Sequence, residues 1–240
     1  MGSFPQSIVH YLPVTDHDER WGIVCTTAGY QNVPPGSPYP LTQHPDSYSF
    51  TRSRGRVLGE YQLLYIVSGQ GEFRSASSPA APVKAGTVVM LFPDEWHTYA
   101  PDPETGWEEW WVGFRGENID RRVAEGFFSP KTPLLHIGHS AGIVSCYQEI
   151  IRSAEEERKG FQQLVTGIVL HLLGSVLFKR DNLQYLDNPI VEKINRAKAI
   201  MRTDFGRNRS PEQIAREVGM GYTWFRRVFR EYVGMAPAQY

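Results

Sequence analysis

Cysteine is scarce in this chain: its 240 residues contain two, Cys25 and Cys146. Two thiols so far apart form neither a disulfide framework nor a metal-binding spacing, which excludes a small secreted scaffold held by bridges. Histidine is sparse where cupin metalloenzymes need it. The stretch "RGRVLGEYQLLYIVSG" has none, His97 stands alone on its loop, and His136 and His139 sit two residues apart from each other across Ile137-Gly138 in an apparent loop. A His-x-His-plus-Glu set for a transition metal is therefore missing, as are a Ser/His/Asp arrangement and a glycine loop for phosphate. The N-terminus lacks a charged leader ahead of an apolar run, and no stretch reads as a membrane span. These absences point to a soluble, cytoplasmic protein that is not an enzyme, with no metal, no cofactor and no membrane partner.

Net charge is nearly absent too, at -1, but the balance is uneven. Residues 189–240 hold ten Lys/Arg against five Asp/Glu, leaving the rest of the chain acidic. A basic C-terminal module on an acidic body fits a segment that meets a polyanion. With 240 residues and 41% apolar content, two domains are the natural expectation.

Residues 1–50 are broken by Pro34-Pro35-Gly36, Pro38 and Pro40, and read as an arm with short strands around Trp21–Thr27 and Tyr48–Thr51. From Arg54 to Arg115 the texture is β. "YQLLYIVSGQGEF" carries a glycine turn at Ser68–Gly71, and "AGTVVMLFP" is an apolar run bounded by Gly86 and Pro93. "WEEWWVGF" alternates, placing Trp107, Glu109 and Trp111 on one face and Trp110, Val112 and Phe114 on the other. Short strands between Gly/Pro turns predict a barrel or jelly roll over 1–135.

The period then changes to 3.6. Ile143, Tyr147, Ile150, Ile151 and Ala154 share one helical face, and "FQQLVTGIVLHLLGSVLF" is apolar over more than one stripe. Residues 136–180 thus read as a helical hairpin whose second helix is buried on more than one side, its second partner being either the barrel or another subunit. A homodimer through the helices between Ala141 and Phe178 is expected, and Glu at Leu172 and Leu173 should break it. Residues 181–189 read as a linker.

"SPEQIAREVGMGYTWFRRVF" is the most specific stretch. Ser210 is an N-cap, Pro211 fits the first helical position, and Gly219 ends the helix in a left-handed residue. Small Ala215 lets a second helix approach, with Phe225, Val228 and Phe229 as its buried face. Thr223, Trp224, Arg226, Arg227 and Arg230 are left outside, suited to base edges and phosphates in the major groove of double-stranded DNA. The pattern is a helix-turn-helix, and 190–240 is its domain.

This stretch, with "NPIVEKINRAKAIMRTDF" before it, resembles the first half of the DNA-binding domain of the AraC/XylS family of bacterial transcription regulators. There, Gly-x-x-Pro-x-x-Tyr opens a linker helix towards a second helix-turn-helix. Gly234, Pro237 and Tyr240 match it, so the resemblance implies a helix starting at Pro237 and a truncated regulator. Arg54, "SGQGEF", "GTVVMLFPDEWHTY" and "WEEWWVGF" resemble the family's cupin-like sensor barrel. The implied fold is α+β: barrel, helical hairpin, then an all-α helix-turn-helix subdomain.

A sensor for a small polar effector such as a sugar needs hydrogen-bonding ends and an aromatic plate. Arg54 offers a donor fork, Tyr99 a hydroxyl, Glu109 an acceptor and Trp111 the plate. The resemblance assigns Arg54, Tyr99 and Trp111 to the ligand, while arabinose-type sensors carry His where this chain has Glu109. Trp96, His97 and Trp107 are further candidates. The competing reading makes the aromatics barrel core and Arg54 a surface charge, leaving a module for dimerisation alone.

Overall fold

β-Branched and aromatic runs separated by glycine turns fold into an antiparallel barrel, seen in a computed structural model that describes residues 7–40, 54–183, 188–203 and 209–240. Contacts divide the chain into two units, Met1–Asp181 and Asn182–Tyr240. The first contains β1 (Ser7–Tyr11), β2 (Val24–Val33), β3 (Tyr61–Ser75), β4 (Ala81–Lys84), β5 (Thr87–Leu91), β6 (His97–Pro101), β7 (Trp107–Arg115) and β8 (Leu134–His136). A single helical turn, α1 (Asp16–Glu19), joins β1 to β2. The order is β1-β2-β7-β3-β5-β8, with β4 and β6 both pairing β3. The strand predicted at Tyr48–Thr51 lies outside the described residues.

The glycine turn predicted at Ser68–Gly71 is instead part of one 15-residue strand, β3. Its register shifts between Ile66 and Ser68, and Gly69 adopts φ +78°. A Cβ there would stand 2.1 Å from the Gly106 carbonyl oxygen, so glycine permits a bend rather than a reversal. Before the bend β3 pairs β5 and β7; after it, β4 and β6. Two further loop expectations are also corrected. His97 opens β6, and His136 closes β8, which pairs β5 one residue past the predicted barrel boundary.

Alternation along β7 splits its side chains between two cores, as period two requires. Trp107 and Trp111 pack with Leu64, Ile66, Phe73 and Tyr99. Trp110, Val112 and Phe114 pack with Tyr61, Tyr147 and Leu172 on the helical side. Each large apolar side chain so buried contributes roughly 1.5–3 kcal/mol.

The helices of this unit are α2 (Glu117–Ala124), α3 (Ala141–Glu156) and α4 (Phe161–Asn182). The predicted face of α3, Ile143, Tyr147, Ile150, Ile151 and Ala154, is buried, and the Tyr147 hydroxyl donates to the Leu63 carbonyl at 3.0 Å. At the start of α4, the Gln162 amide accepts from the Cys25 N–H at 3.0 Å and donates to the Cys25 and Pro13 carbonyls at 2.9 Å each. It thereby satisfies β2 where the register shifts between Cys25 and Thr27.

Contrary to the sequence expectation, α4 is long and apolar enough to cross a membrane by length and composition, with mean hydropathy 1.6. One side of it, Val165, Val169, Leu172, Leu173 and Val176, belongs to the same core as the barrel strands. Leu172 and Leu173 are therefore not on a pairing surface. The outward residues include Leu164, 53% exposed, His171, and Phe178, 68% exposed.

The second unit contains α5 (Pro189–Thr203), α6 (Pro211–Glu217) and α7 (Tyr222–Val233) around Ile194, Ala197, Ile214, Ala215, Met220, Phe225 and Phe229. Where a linker was expected over 181–189, α4 extends to Asn182 and α5 begins at Pro189; residues 184–187 are outside the described set. At Pro237 there is one turn, with the Gln239 and Tyr240 N–H groups returning to the Ala236 carbonyl.

Candidate functional site

Inside the barrel, β1, β2, β3, β6 and β7 and the segment before β3 enclose a cavity lined by Val9, Tyr11, Thr27, Gln31, Tyr39, Pro40, Arg56, Gln62, Tyr99, Glu109 and Trp111. Free space between these side chains, counted with the mouth open to solvent, is about 380 Å³. The enclosed cavity itself is about 20 Å³, room for about one water.

Three predicted residues, Tyr99, Glu109 and Trp111, line this cavity together. Arg54 does not; it is exposed, and its carbonyl accepts the Trp96 indole N–H at 3.0 Å. The cavity's guanidinium belongs to Arg56. An isolated antiparallel bridge pins Arg56 opposite His97, two residues from Tyr99. From there Nη2 donates to the Tyr99 hydroxyl at 2.8 Å and to Gln62 Oε1 at 3.4 Å, and Nε donates to His97 Nε2 at 3.3 Å.

His97 therefore stands behind the cavity and orients Arg56. Its Nδ1 lies 3.0 Å from the Glu95 carbonyl, which fixes the proton there and leaves Nε2 as acceptor. Burial, and then the Arg56 charge, press its pKa down to about 4, so the ring is neutral. Trp96 sits outside, under the Arg74 guanidinium at 5.0 Å. Trp107 is core, edge-on to Tyr39 at 5.7 Å.

Gln31, Tyr39, Arg56 and Gln62 escaped the sequence reading. Gln31 pairs Glu109 across β2 and β7, and its Nε2 donates to Glu109 Oε1 at 2.5 Å. The Tyr39 hydroxyl donates to the same oxygen at 2.8 Å. Glu109 is 1% exposed. Burial raises its pKa to about 7, against the opposing pull of the Tyr39 and Gln31 hydrogen bonds and the Arg56 charge. Burial also lifts the Tyr99 hydroxyl to about 12, against Arg56. Among the described residues, Glu109 Oε2 and Gln31 Oε1 are buried without a hydrogen-bond partner.

Trp111 owes its position to Gly29, its partner across β2 and β7. A Cβ at Gly29 would fall 2.1 Å from the Trp111 ring. The indole lies directly on bare backbone, and only glycine leaves it there. Below the arginine, Glu60 Oε1 accepts from Gln62 Nε2 at 2.8 Å and from the Thr27 hydroxyl at 3.3 Å. Among the described residues no group of three or more His, Cys, Asp or Glu gathers to hold a metal.

The helical unit offers a second candidate surface. Ser210 and Gln213 form a reciprocal capping box, the backbone N–H of Ser210 reaching Gln213 Oε1 at 2.7 Å. Gly219 adopts φ +66°, and its carbonyl accepts Lys193 Nζ at 3.0 Å. Ala215 is fully buried, and the Met220 N–H returns to its carbonyl at 2.9 Å. On α7, Phe225 and Phe229 are buried, Val228 is half-buried, and Thr223, Trp224, Arg226, Arg227 and Arg230 are exposed. Thr223, Arg226, Arg227 and Arg230 line one shallow depression with Glu231. A row of cations spaced at three to four residues on an exposed helix suits a phosphate backbone and groove edges.

Several known proteins are similar to parts of this chain. The raffinose operon transcriptional regulatory protein RafR of Pediococcus pentosaceus is 29% identical over 94 residues, 38% of this chain and 34% of that protein. The chain thus spans about a third of that relative's length. Unsaturated fatty acid-bound wild-type ToxT from Vibrio cholerae aligns over 100% of this chain and 96% of its own, at 11% identity and a TM-score of 0.33. An RmlC-like cupin family protein with a double-stranded β-helix fold from Methanocaldococcus jannaschii covers 50% of this chain and 93% of its own, at 14% identity and a TM-score of 0.31. The family described as AraC-like ligand binding domain matches residues 35–173, more than half the chain. By that match the chain belongs to the AraC family, through an AraC-like ligand-binding domain.

Proposed function

We propose that this chain is a ligand-responsive transcription regulator that works in the cytoplasm and has no catalytic role. Its barrel senses a small polar effector, a carbohydrate, and its α7 enters the major groove of double-stranded DNA. Two copies pair through the outward side of α4, around Leu164 and Phe178. The reading rests above all on the cavity, where an aromatic plate, Trp111, faces a ring of buried hydrogen-bonding groups. The 29% identity to a regulator of a raffinose operon supports the carbohydrate class.

The effector contacts assigned here are Arg56, Tyr99, Glu109 and Trp111, with Gln31 and Tyr39. A thermal-shift screen over neutral sugars tests the reading. A binder at 100 times its Kd should add about 2.7 kcal/mol to stability. Trp111→Ala and Arg56→Ala should lose that shift, and Arg54→Ala should keep it. The small free volume favours one other reading, a barrel that serves dimerisation and binds nothing. No melting shift with any sugar would select it.

A further inference from the structure

From Leu164 to Phe178 the exposed residues of α4 are Leu164, Gly167, His171, Gly174 and Phe178. Their intervals are three, four, three and four, the repeat of a helix that packs lengthwise on another helix. The opposite side of α4, with Val165, Val169, Leu172, Leu173 and Val176, is already taken up by the barrel's core. Among the described residues nothing lies within 4 Å of where a Cβ at Gly167 or Gly174 would stand. Glycine in mid-helix costs about 1 kcal/mol relative to alanine. A neighbour that must come close to the backbone is the physical reason to carry two on one seam.

The seam is close to palindromic. Leu164 and Phe178 lie seven positions either side of His171, and Gly167 and Gly174 lie four before it and three after it. Such a surface is complementary to itself when turned about a two-fold axis, which makes a second copy the occupant it fits. An antiparallel pair centred on His171 sets Leu164 of each copy against Phe178 of the other. It also brings the glycines together and the two imidazoles face to face. A lipid surface would call for neither the glycines nor a histidine in mid-stripe. Resting on the reading of α4 as the pairing helix, we propose that two copies cross antiparallel with His171 on the two-fold axis, and that protonation of His171 drives them apart.

Two neutral imidazoles can share one N–H···N hydrogen bond, whereas two imidazolium rings in the same place repel each other while partly stripped of water. Histidine is the side chain that ordinarily changes charge between pH 5 and 8. Within its own chain the ring meets Ser175 Oγ at 3.5 Å, a hydroxyl that can donate or accept. The other charged residues of α4 are Lys179, Arg180 and Asp181, eight or more positions on, about 12 Å along the axis. On α3, Arg152 donates to Glu149 at 2.7 Å, Glu155 lies 3.7 Å from His10, and Glu156 lies 3.0 Å from Arg158. Burial raises both Cys146 and Tyr147, so neither changes charge in this range. An ordinary imidazole is about a tenth protonated at pH 7.5 and about nine-tenths at pH 5.5. A pair that admits one proton then loses affinity roughly sixfold over that interval, and one that admits none roughly a hundredfold.

Sedimentation velocity at pH 5.5, 6.5 and 7.5, with circular dichroism to confirm folding, tests this. The expected result is a dimer at pH 7.5 whose dissociation constant rises about fivefold or more by pH 5.5. His171→Leu should pair equally at every pH, and His171→Arg should be monomeric throughout. Gly174→Leu, a change that favours helix, should be folded and monomeric. In a Cys146→Ser background under mild oxidation, His171→Cys should cross-link to itself, and Leu164→Cys should cross-link only when mixed with Phe178→Cys. A parent dimer indifferent to pH, or a pH response that survives in His171→Leu, overturns the proposal and leaves the pairing reading standing. So does Leu164→Cys linking to itself, which would mean a parallel crossing. A parent that is monomeric at pH 7.5 and tens of micromolar, or that floats with neutral phospholipid vesicles, overturns both this proposal and the pairing beneath it.

Discussion

The helix-turn-helix and the barrel cavity are assembled over very different reaches of chain. In the helical unit Ser210 meets Gln213 three residues on, Met220 returns to Ala215, and the hydrogen bond from Lys193 to Gly219 spans 26 positions. In the cavity Gln31 meets Glu109 across 78 positions, Tyr39 meets Glu109 across 70, and Arg56 meets Tyr99 across 43. Fold and function also separate differently. On α7 the buried phenylalanines hold the structure and the exposed arginines are free to serve another molecule. On the proposed reading the cavity's side chains do both, so a change there should strike stability and recognition together.

The largest effect that tests this contrast is Leu172→Glu. Placing an unpaired charge in a fully buried position should destabilise the barrel unit by roughly 4 kcal/mol or more. Hydrogen exchange would show lost protection across β7 and α3. Leu164→Glu, on the outward side of the same helix, should leave protection intact and reduce only the sedimentation-defined dimer. A dimer that persists in the folded Leu164→Glu, Phe178→Glu double variant would remove the pairing surface proposed for α4.

Next in size is Ala215→Leu. Ala215 is fully buried where α6 and α7 approach, and overpacking such a contact costs about 1–3 kcal/mol. Lost protection should be confined to α5–α7. On the surface of that unit, Arg227→Ala should relax DNA specificity at one or two base pairs, worth about 1–3 kcal/mol each. Arg230→Ala should weaken all sequences alike and lessen the salt dependence. Both variants should melt with the parent, measured by circular dichroism beside fluorescence anisotropy on specific and random duplexes.

The smallest effect is electrostatic and belongs to the cavity. Glu109 titrates near 7 in the folded protein against an ordinary 4.5. Its contribution to stability is full below 4.5 and lost as pH rises through 7. His97, near 4 against 6.5, contributes above 6.5 and loses that contribution as pH falls through 4. Going from pH 8 to 6, Glu109 adds on the order of 1 kcal/mol and His97 removes a similar amount. Glu109→Gln leaves only the His97 loss, so urea denaturation of that variant should show stability falling more steeply over this interval than the parent's.

Legibility follows the same divide. Ser210, Pro211, Ala215 and Gly219 mark the helix-turn-helix because capping, tight packing and a left-handed turn each constrain one residue in its local setting. Alternation along β7 was equally readable, and with it the two faces that place Glu109 and Trp111 together. The arginine was not. Arg54 and Arg56 are two residues apart and chemically identical, and the bridge to His97 that selects Arg56 comes from a strand 41 positions away. Gln31 and Tyr39 carry no pattern of their own; one is a polar residue in a strand of mixed character, the other lies among prolines. Ser68–Gly71 misled for a related reason. A glycine that allows a reversal also allows a bend, and the partners of β3 decide between them.

Gly29 and Trp111 behave as one volume rather than two positions. The indole occupies the space that a side chain on the facing strand would fill. A methyl added at Gly29 must evict the ring, and a ring cut down to leucine leaves a hollow that alanine or valine at position 29 could take up. Neither residue alone sets the breadth of the barrel's interior, since what one gives up the other can claim. For retuning such a barrel towards a broader or narrower effector, the useful library varies the two residues jointly, as a single adjustable partition wall.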